Sequence, residues 1–338
     1  MNWREKFQEI FFSYGLMGSG LLLLLASTVY ISRPAVSAVL ADAGQAVPSS
    51  IGGDITPGSL PQARPIIPLP KDDSKFDKIF SAVSVFAVDD KSETVLFQKN
   101  SAEVRPLASI TKLMSALVIL DSGLSWNATT TILADDDDGS SHFVAAGEVF
   151  TLDDLWHVAL IGSSNGAIKA LARATGLAAD EFVRRMNQKA VQLKMTTAKF
   201  VEPTGLDDQN VASAEDTAKL LAEALRSDKI YKTLQIGEYY AEPLGKKKRR
   251  VWTTDWLLTN WIPNEFKVFN IAGKTGFINN SKYNFAVRLA KDDTHAVRVV
   301  IMGADSNETR FTEARDLAAW IFEKYVWPDE SGYDKITE

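Results

Sequence analysis

Strand-like segments occur only towards the two ends of residues 76–330, with helical segments between them. Near the start of this region, residues 82–88 and 93–98 are rich in β-branched and aromatic residues and flank a polar turn, which predicts two paired strands. Strand character returns late in the chain, at residues 268–272, 283–289 and 297–302. We therefore expect an α+β fold in which both ends of the chain complete one sheet, without the strand–helix alternation of a doubly wound sheet.

The segments between these strands have the apolar periodicity of helices. Thr151 and Asp154 have the spacing of a capping box at the start of one helix, TLDDLWHVALI. The sequence therefore predicts a helical lobe inserted into the sheet domain, followed by a final amphipathic helix. The predicted helices cover residues 109–121, 151–161, 166–174, 180–193, 214–225 and 308–325.

Residues 10–31 contain no charged side chain. At about 1.5 Å per residue, a helix of this length would extend about 33 Å, enough to cross the hydrocarbon core of a bilayer. Arg4 and Lys6 precede the segment, which favours a cytoplasmic location for residues 1–9. We therefore expect a transmembrane signal-anchor in the cytoplasmic membrane, with the catalytic region on the extracytoplasmic side.

A cleaved signal peptide is the alternative to the anchor, because Ala41 and Ala43 have the small-x-small form of a cleavage site. The apolar run is longer than the roughly 7–15 residues usual in such peptides, which favours the anchor. Residues 32–75 are rich in Pro, Gly, Ala and Ser and predict an extended linker. The expected folded domain covers residues 76–330, and residues 331–338 form a tail.

Composition excludes several kinds of chemistry. The absence of cysteine removes disulfides, thiolate metal sites and cysteine nucleophiles. The histidines, His142, His157 and His295, lack metal-ligand spacing, so we expect neither a metal nor a cofactor. A net charge of −6 argues against nucleic-acid binding. The basic run at residues 246–250 predicts a solvated hairpin, with contact to anionic wall polymers or lipid headgroups as the alternative.

The stretch GSSNG at residues 162–166 fits two catalytic patterns. As G-x-S-x-G it would make Ser164 the nucleophile of an α/β-hydrolase, which requires a strand directly before the serine. Residues 151–161 instead predict a helix there, which argues against this interpretation. As S-x-N, the same stretch would make Ser163 and Asn165 accessories to a nucleophile elsewhere in the chain.

A serine and a lysine with suitable spacing occur earlier in the chain. Ser109 and Lys112 lie three residues apart at the start of a predicted helix, so their side chains share one face. A neutral lysine amine can accept the serine proton, and burial beside a second cation would lower its pKa. The second cation is expected to be Lys274 of the K-T-G sequence, placed after the strand 268–272.

Further parts of the expected site follow from the K-T-G sequence. Gly276 would let a substrate backbone lie close along the strand edge. The backbone N–H groups of Ser109 and Phe277 would form an oxyanion hole. S-x-x-K, S-x-N and K-T-G are each weak signals, and three unrelated local motifs are the alternative. S-x-x-K opens a predicted helix, S-x-N lies between helices and K-T-G follows a strand. Together the three motifs indicate one serine hydrolase site.

At these residues the chain resembles the low-molecular-mass penicillin-binding proteins, the serine-type D-alanyl-D-alanine carboxypeptidases. The similar stretches include PLASITKLMSALVIL, GEVFTLDDLWHVALIGSSNGAIKALA and AGKTGF, and the similarity covers roughly residues 83–325. The resemblance implies a β-lactamase/transpeptidase-like fold, an antiparallel sheet flanked by helices. It also implies peptidoglycan stem peptides as substrate and β-lactams as acylating inhibitors.

The resemblance also implies residue roles. Ser109 would be acylated, with Lys112 as its general base. Ser163 would relay a proton to the leaving amine, and Asn165 would orient the acyl chain and hold Lys112. The terminal carboxylate of the substrate would be met by Lys274 and Thr275. Arg310 would lie near that carboxylate or, alternatively, form a salt bridge at the start of the last helix.

Three other functions compete with a carboxypeptidase. A D,D-endopeptidase that cleaves peptidoglycan cross-links would use the same residues. A class A β-lactamase would add a glutamate that activates the deacylating water, and Glu181 and Glu202 lie in stretches similar to carboxypeptidases instead. A wall-binding module with a decayed site would lack catalytic residues that this chain retains. Departures from the family pattern at Gly166, Thr204, Ile278 and residues 280–282 affect the expected substrate preference.

Overall fold

The computed structural model describes residues 66–137, 139, 142–267 and 270–337. The predicted membrane span at residues 10–31 and the linker up to residue 65 lie outside the described residues. Within the described ranges, no helix combines the length and apolar character needed to cross a bilayer.

The described elements follow the predicted order of strands, helical lobe, strands and final helix. The strands are β1 (Leu69–Pro70), β2 (Ser84–Asp89), β3 (Val95–Lys99), β4 (Arg105–Pro106), β5 (Thr129–Thr131), β6 (Val149–Thr151), β7 (Val211–Ala212), β8 (Glu238–Ala241), β9 (Arg249–Trp252), β10 (Ile271–Ile278), β11 (Lys282–Ala290), β12 (Ala296–Ala304) and β13 (Tyr325–Val326). The helices are a 3₁₀ turn (Ala108–Ile110), α1 (Thr111–Asp121), α2 (Leu152–Leu160), α3 (Asn165–Ala174), α4 (Ala179–Gln192), α5 (Ala214–Arg226), α6 (Asp228–Leu234), α7 (Thr309–Lys324) and α8 (Tyr333–Thr337).

The central sheet is antiparallel, with the strand order β10-β11-β12-β2-β3. The N-terminal strand β2 pairs with the C-terminal strand β12, so both ends of the chain complete the sheet. All residues of β2 and β12 are buried, because helices cover both faces of these strands. The predicted α+β fold with an inserted helical lobe is confirmed.

Alternation along the strands divides the core into two clusters, because successive side chains point to opposite faces of a sheet. Phe86 and Val88 of β2 join Val300 of β12 in a cluster with the helical lobe. Val85 and Ala87 belong to the cluster that packs against α7. The helical lobe is thereby fixed against one face of the sheet, and α7 against the other.

The predicted position of the K-T-G sequence after a strand is wrong. Strand β10 begins at Ile271 and continues to Ile278, so Lys274, Thr275 and Gly276 lie inside it. Their partners on β11 hold this register, with Thr275 opposite Phe285. Pairing with β11 extends the strand through two glycines that local β-propensity disfavours.

The folded region also extends beyond the predicted domain limits. Leu69 and Pro70, assigned to the linker, pair with β13, and the ammonium of Lys324 lies 2.6 Å from a carboxylate oxygen of Asp72. Tyr333, assigned to the tail, is buried and donates its hydroxyl to the Ile67 carbonyl at 2.8 Å. Packing between the two ends of this region explains why composition alone misplaced both boundaries.

Strands β8 and β9 form the hairpin that the basic run predicts. Glutamates neutralise most of this run. Glu148 pairs with Lys246 at 3.3 Å and with Arg249 at 2.6 Å, Glu242 pairs with Lys248, and Glu238 pairs with Arg250. Since these cations have local counter-ions, the hairpin offers little uncompensated charge to an anionic polymer or lipid surface.

Candidate active site

The predicted nucleophile lies in a strained turn. Ser109 is the middle residue of the 3₁₀ turn that leads directly into α1, not the first residue of an α-helix as expected. The preceding residue, Ala108, has a φ of 49°, which is uncommon for a residue with a Cβ atom. Packing maintains this conformation, because Leu107, Ala108 and Ile110 are all buried.

Lys112 is fully buried beneath Ser109, and three contacts surround its amine. The Nζ atom lies 2.8 Å from Ser109 Oγ, 2.6 Å from Asn165 Oδ1 and 2.9 Å from the carbonyl oxygen of Thr204. The amide oxygen and the carbonyl can only accept hydrogen bonds, whereas the hydroxyl can donate or accept. A neutral amine has two N–H donors for the two acceptors and one lone pair for the Ser109 proton. The geometry therefore accommodates a general base.

A second lysine and serine lie opposite this pair. Lys274 on β10 donates to Ser163 Oγ at 2.8 Å and to its neighbouring Thr275 carbonyl at 3.2 Å. Ser163 lies between α2 and α3 with a φ of 58°, which is uncommon for a residue with a Cβ atom. The three sequence motifs therefore meet in one cleft between the sheet and the helical lobe.

Ser164 has a structural role that excludes it as the nucleophile. It is buried and is the N-cap of α3, where its Oγ accepts from the Ala167 N–H at 3.3 Å. The segment before it is helix α2 instead of a strand, so the elbow geometry is absent at this position. The interpretation of GSSNG as S-x-N is supported by this geometry.

Buried cations determine the electrostatics of the cleft. Burial lowers the pKa of Lys274 well below its ordinary value, and the nearby charges of Lys112 and Arg310 lower it further. Asp255 opposes this effect. Since two neighbouring ammonium groups in a buried site disfavour each other's charge, the fold promotes a neutral amine in this lysine pair.

Gly276 has a different packing role from the one expected. A Cβ atom at this position would lie 2.6 Å from the Leu107 carbonyl oxygen and 3.3 Å from the Ser109 nitrogen. The glycine therefore lets β10 approach the nucleophile turn. Phe277, whose N–H we expect in the oxyanion hole with that of Ser109, follows Gly276 on the same edge strand. The Phe277 ring is 48% exposed and stacks on Tyr283.

Arg310 is buried behind β10, and within the part of the chain that the structure describes it does not make the alternative salt bridge. Its Nη1 donates to the carbonyl oxygens of Gly276 at 3.1 Å and Asn284 at 3.3 Å. Burial lowers its pKa to about 10. Among the described residues, these hydrogen-bond partners are backbone carbonyls rather than carboxylates. Arg310 thereby fixes the strand that carries Lys274 and Thr275.

Sequence reasoning missed the loop that completes the lysine environment. The carboxylate of Glu202 accepts from the backbone N–H groups of Thr204, at 2.6 Å, and Gly205, and it also accepts from the Asn210 amide. These bonds orient the Thr204 carbonyl that contacts Lys112. The sequence gives little indication of this contact, because every residue type carries a backbone carbonyl. At the level of sequence, Thr204 is only a departure from the family pattern.

Thr254 and Asn284 were also missed. Thr254 Oγ1 lies 2.6 Å from Thr275 Oγ1, and Asn284 donates to the Pro106 carbonyl at 2.9 Å. They hold β10 and the nucleophile turn in place. Within the described ranges, no group of three or more His, Asp or Glu side chains is placed to hold a metal ion.

The geometry agrees with comparisons to known proteins. The sequence profile of peptidase family S11, described as D-alanyl-D-alanine carboxypeptidase, matches residues 72–306. The chain belongs to this family. A relative, the D-alanyl-D-alanine endopeptidase of Pseudomonas aeruginosa, is 31% identical over 75% of this chain and 81% of its own length. A D-alanyl-D-alanine carboxypeptidase of Bacillus subtilis is 30% identical over 72% of this chain and 63% of its own length.

Solved structures share the fold of this S11 chain. The Streptomyces K15 DD-transpeptidase has a TM-score of 0.67 at 22% identity, covering 74% of this chain and all of its own. The D-alanyl-D-alanine carboxypeptidase from Mycobacterium tuberculosis also has a TM-score of 0.67, at 24% identity, covering 77% of this chain and 97% of its own. The expected penicillin-binding protein fold is confirmed.

Proposed function

We propose that this S11 chain is a metal-independent serine D,D-carboxypeptidase that removes the terminal D-alanine of peptidoglycan stem peptides. The observation that carries this proposal is the contact set of Lys112, which joins Ser109, Asn165 and the Thr204 carbonyl in one buried site. That arrangement provides a nucleophile with an adjacent base, whose position is fixed by further groups.

Acylation begins when Lys112 accepts the proton of Ser109 and the Ser109 oxygen attacks the carbonyl of the penultimate D-alanine. The N–H groups of Ser109 and Phe277 stabilise the negative charge on the carbonyl oxygen. As the C–N bond breaks, Ser163 relays the proton from Lys112 to the leaving amine, so that Lys112 is neutral again and Ser163 keeps a proton, and the hydrogen bond from Lys274 to Ser163 supports this transfer. Terminal D-alanine leaves, and the acyl group remains as an ester on Ser109.

Deacylation uses the same base in a second step. Lys112 accepts a proton from water, which attacks the ester carbonyl. The C–O bond breaks, and the oxygen of Ser109 recovers a proton from Lys112. The shortened peptide leaves with a new carboxylate, and the enzyme returns to its initial state.

The terminal carboxylate of the substrate gives the site its specificity for the chain end. Lys274 supplies charge, and Thr275 on the same strand supplies a hydroxyl, which Thr254 orients at 2.6 Å. Arg310 holds the backbone of this strand from behind. β-Lactams carry a carboxylate and a strained amide in a similar relationship, so they acylate Ser109 and hydrolyse slowly.

Intact mass after incubation with benzylpenicillin tests the proposal directly. We expect an adduct of one penicilloyl group, which peptide mapping assigns to Ser109. Ser109→Ala should abolish the adduct, whereas the matched variant Ser164→Ala should retain most of it. An adduct lost only in the Ser164 variant would contradict the assignment, and an unlabelled wild-type protein would favour a wall-binding module without activity.

D,D-endopeptidase activity is a second candidate, because three curated relatives carry that name. They come from Pseudomonas aeruginosa, Haemophilus influenzae and Escherichia coli and are 31%, 31% and 29% identical to this chain. Digestion of purified muropeptides separates the two activities. Monomers that lose D-alanine indicate a carboxypeptidase, and cross-linked dimers that become monomers indicate an endopeptidase.

A β-lactamase is not favoured by the two glutamates considered for this role. The carboxylate of Glu202 accepts bonds from its own loop, and Glu181 pairs with Arg184 and Arg185 on the surface of α4. The described contacts of both carboxylates are therefore structural. A penicilloyl adduct that persists for many minutes supports the carboxypeptidase, and rapid turnover of penicillin would support the β-lactamase.

We also propose that residues 10–31 anchor the protein in the cytoplasmic membrane, with the S11 domain on the extracytoplasmic side. The uncharged stretch and the preceding Arg4 and Lys6 support this orientation. Membrane fractions washed with alkaline carbonate should retain the protein, and external protease should digest the domain in spheroplasts. A mature N-terminus near residue 44 would indicate a cleaved signal peptide instead.

A further inference from the structure

A buried carboxylate lies beside the active site without a role in the proposed mechanism. Asp255 follows strand β9 and is only 2% exposed. Its neighbour in sequence, Thr254, contacts Thr275 at 2.6 Å, which places this segment next to the lysine-bearing part of β10. The location is therefore internal to the site and distant from solvent.

The two oxygens of Asp255 have unequal surroundings. Oδ1 accepts from the backbone N–H groups of Leu257 at 2.9 Å and Leu258 at 3.3 Å. Oδ2 is buried, and no hydrogen bond reaches it from the described residues. A buried carboxylate with a free oxygen is costly unless nearby charges compensate for it. We therefore expect nearby positive charges to stabilise the ionised carboxylate of Asp255.

Two buried cations act on Asp255. Both Arg310 and Lys274 favour its ionised form, and Asp255 in turn favours the charged form of each. Arg310 has a buried Nε atom without a hydrogen-bond partner among the described residues, so this N–H donor has no acceptor there. Lys274 has only a hydroxyl and a carbonyl as described hydrogen-bond partners.

Without an anion, Lys274 would face only effects that remove its charge. Burial, Lys112 and Arg310 all oppose protonation of its amine, and Asp255 is the carboxylate that counteracts them. An uncharged Lys274 would bind a substrate carboxylate poorly and would no longer disfavour charge on Lys112. The charge of Asp255 therefore affects both binding of the substrate carboxylate by Lys274 and the protonation of Lys112, the proposed base.

We propose that Asp255 is a positioning residue whose negative charge keeps Lys274 protonated for recognition of the terminal carboxylate of the substrate. The inference rests on the proposed function, since it assigns that carboxylate to Lys274. Asp255 touches neither the substrate nor Ser109 and acts through Lys274.

The proposal has a consequence for pH dependence. Burial raises the pKa of Asp255 to about 6, and the N–H groups of Leu258 and Leu257, with Arg310 and Lys274, limit this rise. Asp255 is therefore ionised above about pH 6 and becomes neutral below it. Above that pH the charge of Asp255 supports protonation of Lys274, whereas a falling pH protonates the Lys274 amine directly. Recognition of a carboxylate should therefore depend on Asp255 mainly at neutral and alkaline pH.

The test compares two acylating ligands, benzylpenicillin and its methyl ester, which lacks the carboxylate. Second-order acylation rates are measured between pH 5 and 8.5 for the wild-type protein, Asp255→Asn and the control Asp89→Asn. The asparagine can still accept from Leu257 and Leu258, so only the charge is removed. Asp89 is equally buried, bonds to Trp327 and Ser92, and lies on β2, three strands from β10.

In Asp255→Asn at pH 8, we expect benzylpenicillin acylation to fall by about tenfold or more, because a shift of one pH unit in the pKa of Lys274 changes its charged fraction by up to that factor. Acylation by the methyl ester should change much less, and the control should behave like the wild type. The acid-to-ester rate ratio of Asp255→Asn should approach that of the wild type as the pH falls from 8 to 5, because a lower pH protonates Lys274 without help from Asp255.

Each remaining outcome has a distinct meaning. Absence of any wild-type adduct would overturn the proposed function itself. Wild-type acylation together with an Asp255→Asn acid-to-ester ratio that equals the wild-type ratio at pH 8 would overturn only the role of Asp255. Equal losses for both ligands in Asp255→Asn would also overturn it, since they indicate a structural role.

Discussion

Replacing Asp255 by asparagine should stabilise the fold at alkaline pH even though it weakens the site. Burial raises the pKa of this carboxyl from 3.8 to about 6. The folded state therefore binds the proton more tightly than the unfolded state, and stability decreases as the pH rises through this interval. Above pH 6 the difference corresponds to about 3 kcal/mol of the free energy of unfolding.

The asparagine variant lacks this penalty, because its amide carries no charge to bury. It should be more stable than the wild type by up to about 3 kcal/mol at pH 8, or about 5 °C in melting temperature for a domain of this size. At pH 4 the two proteins should melt at nearly the same temperature, since the wild-type carboxyl is then neutral in the folded state.

Thermal unfolding followed by circular dichroism, in buffers from pH 4 to 8, measures this difference. The variant Asp89→Asn serves as the control, because Asp89 accepts hydrogen bonds through both carboxylate oxygens. A stability gain in Asp255→Asn that is the same at pH 4 and pH 8 would refute the reasoning, as would a loss at pH 8. Either result would mean that ionisation of Asp255 is not a cost to folding.

Four further substitutions have definite expectations. Lys112→Ala should reduce penicillin acylation by several orders of magnitude without loss of fold, as measured by stopped-flow labelling, since base and nucleophile act as a unit. Gly205→Ala should abolish labelling and lower the melting temperature, because its Cβ atom would lie 1.9 Å from the Ala108 carbonyl oxygen. Gly176→Ala, also at positive φ but with open space around the site, should only lower stability by about 1 kcal/mol. Burial lowers the pKa of His295, but hydrogen bonds to Asp329 and Asp292 outweigh this effect, so the net pKa is raised. The charged imidazole therefore stabilises the fold fully below pH 6.5, and this stabilisation is lost as the pH increases. The melting-temperature difference between wild type and His295→Gln should shrink from pH 6 to pH 9.

The sequence correctly predicted helices whose apolar periodicity and caps lie within one short segment. Helix α1 has a continuous apolar face, and Thr151 caps α2 by accepting the Asp154 N–H at 3.0 Å, as the capping box indicated. Strand β10 was misplaced because Gly273 and Gly276 interrupt its β-propensity. Its length is determined by pairing with β11 and by the close approach to the nucleophile turn, and neither is visible locally.

Parts of the site have no sequence signal at all. The positive φ of Ala108 is imposed on a residue type that disfavours it. The Thr204 carbonyl contacts Lys112 through the backbone, so residue identity is almost irrelevant to its role. Asp255 has no periodicity or motif that separates it from the exposed aspartates of the chain. Its significance depends on burial next to β10.

The chemical character of the site therefore arises from how segments far apart in sequence are packed together. Lys112 comes from a helix, Lys274 from an edge strand and Arg310 from the start of α7, and each is buried and hydrogen-bonded to residues of other elements. Alone, each would be a charged side chain with an ordinary pKa. Together in a buried region, three cations disfavour each other's charge, and a single carboxylate, Asp255, can compensate for only part of this repulsion. In the proposed mechanism the amine that loses its proton is the base at Ser109, so we expect the energetic cost of crowding these cations to contribute to the reactivity of the nucleophile.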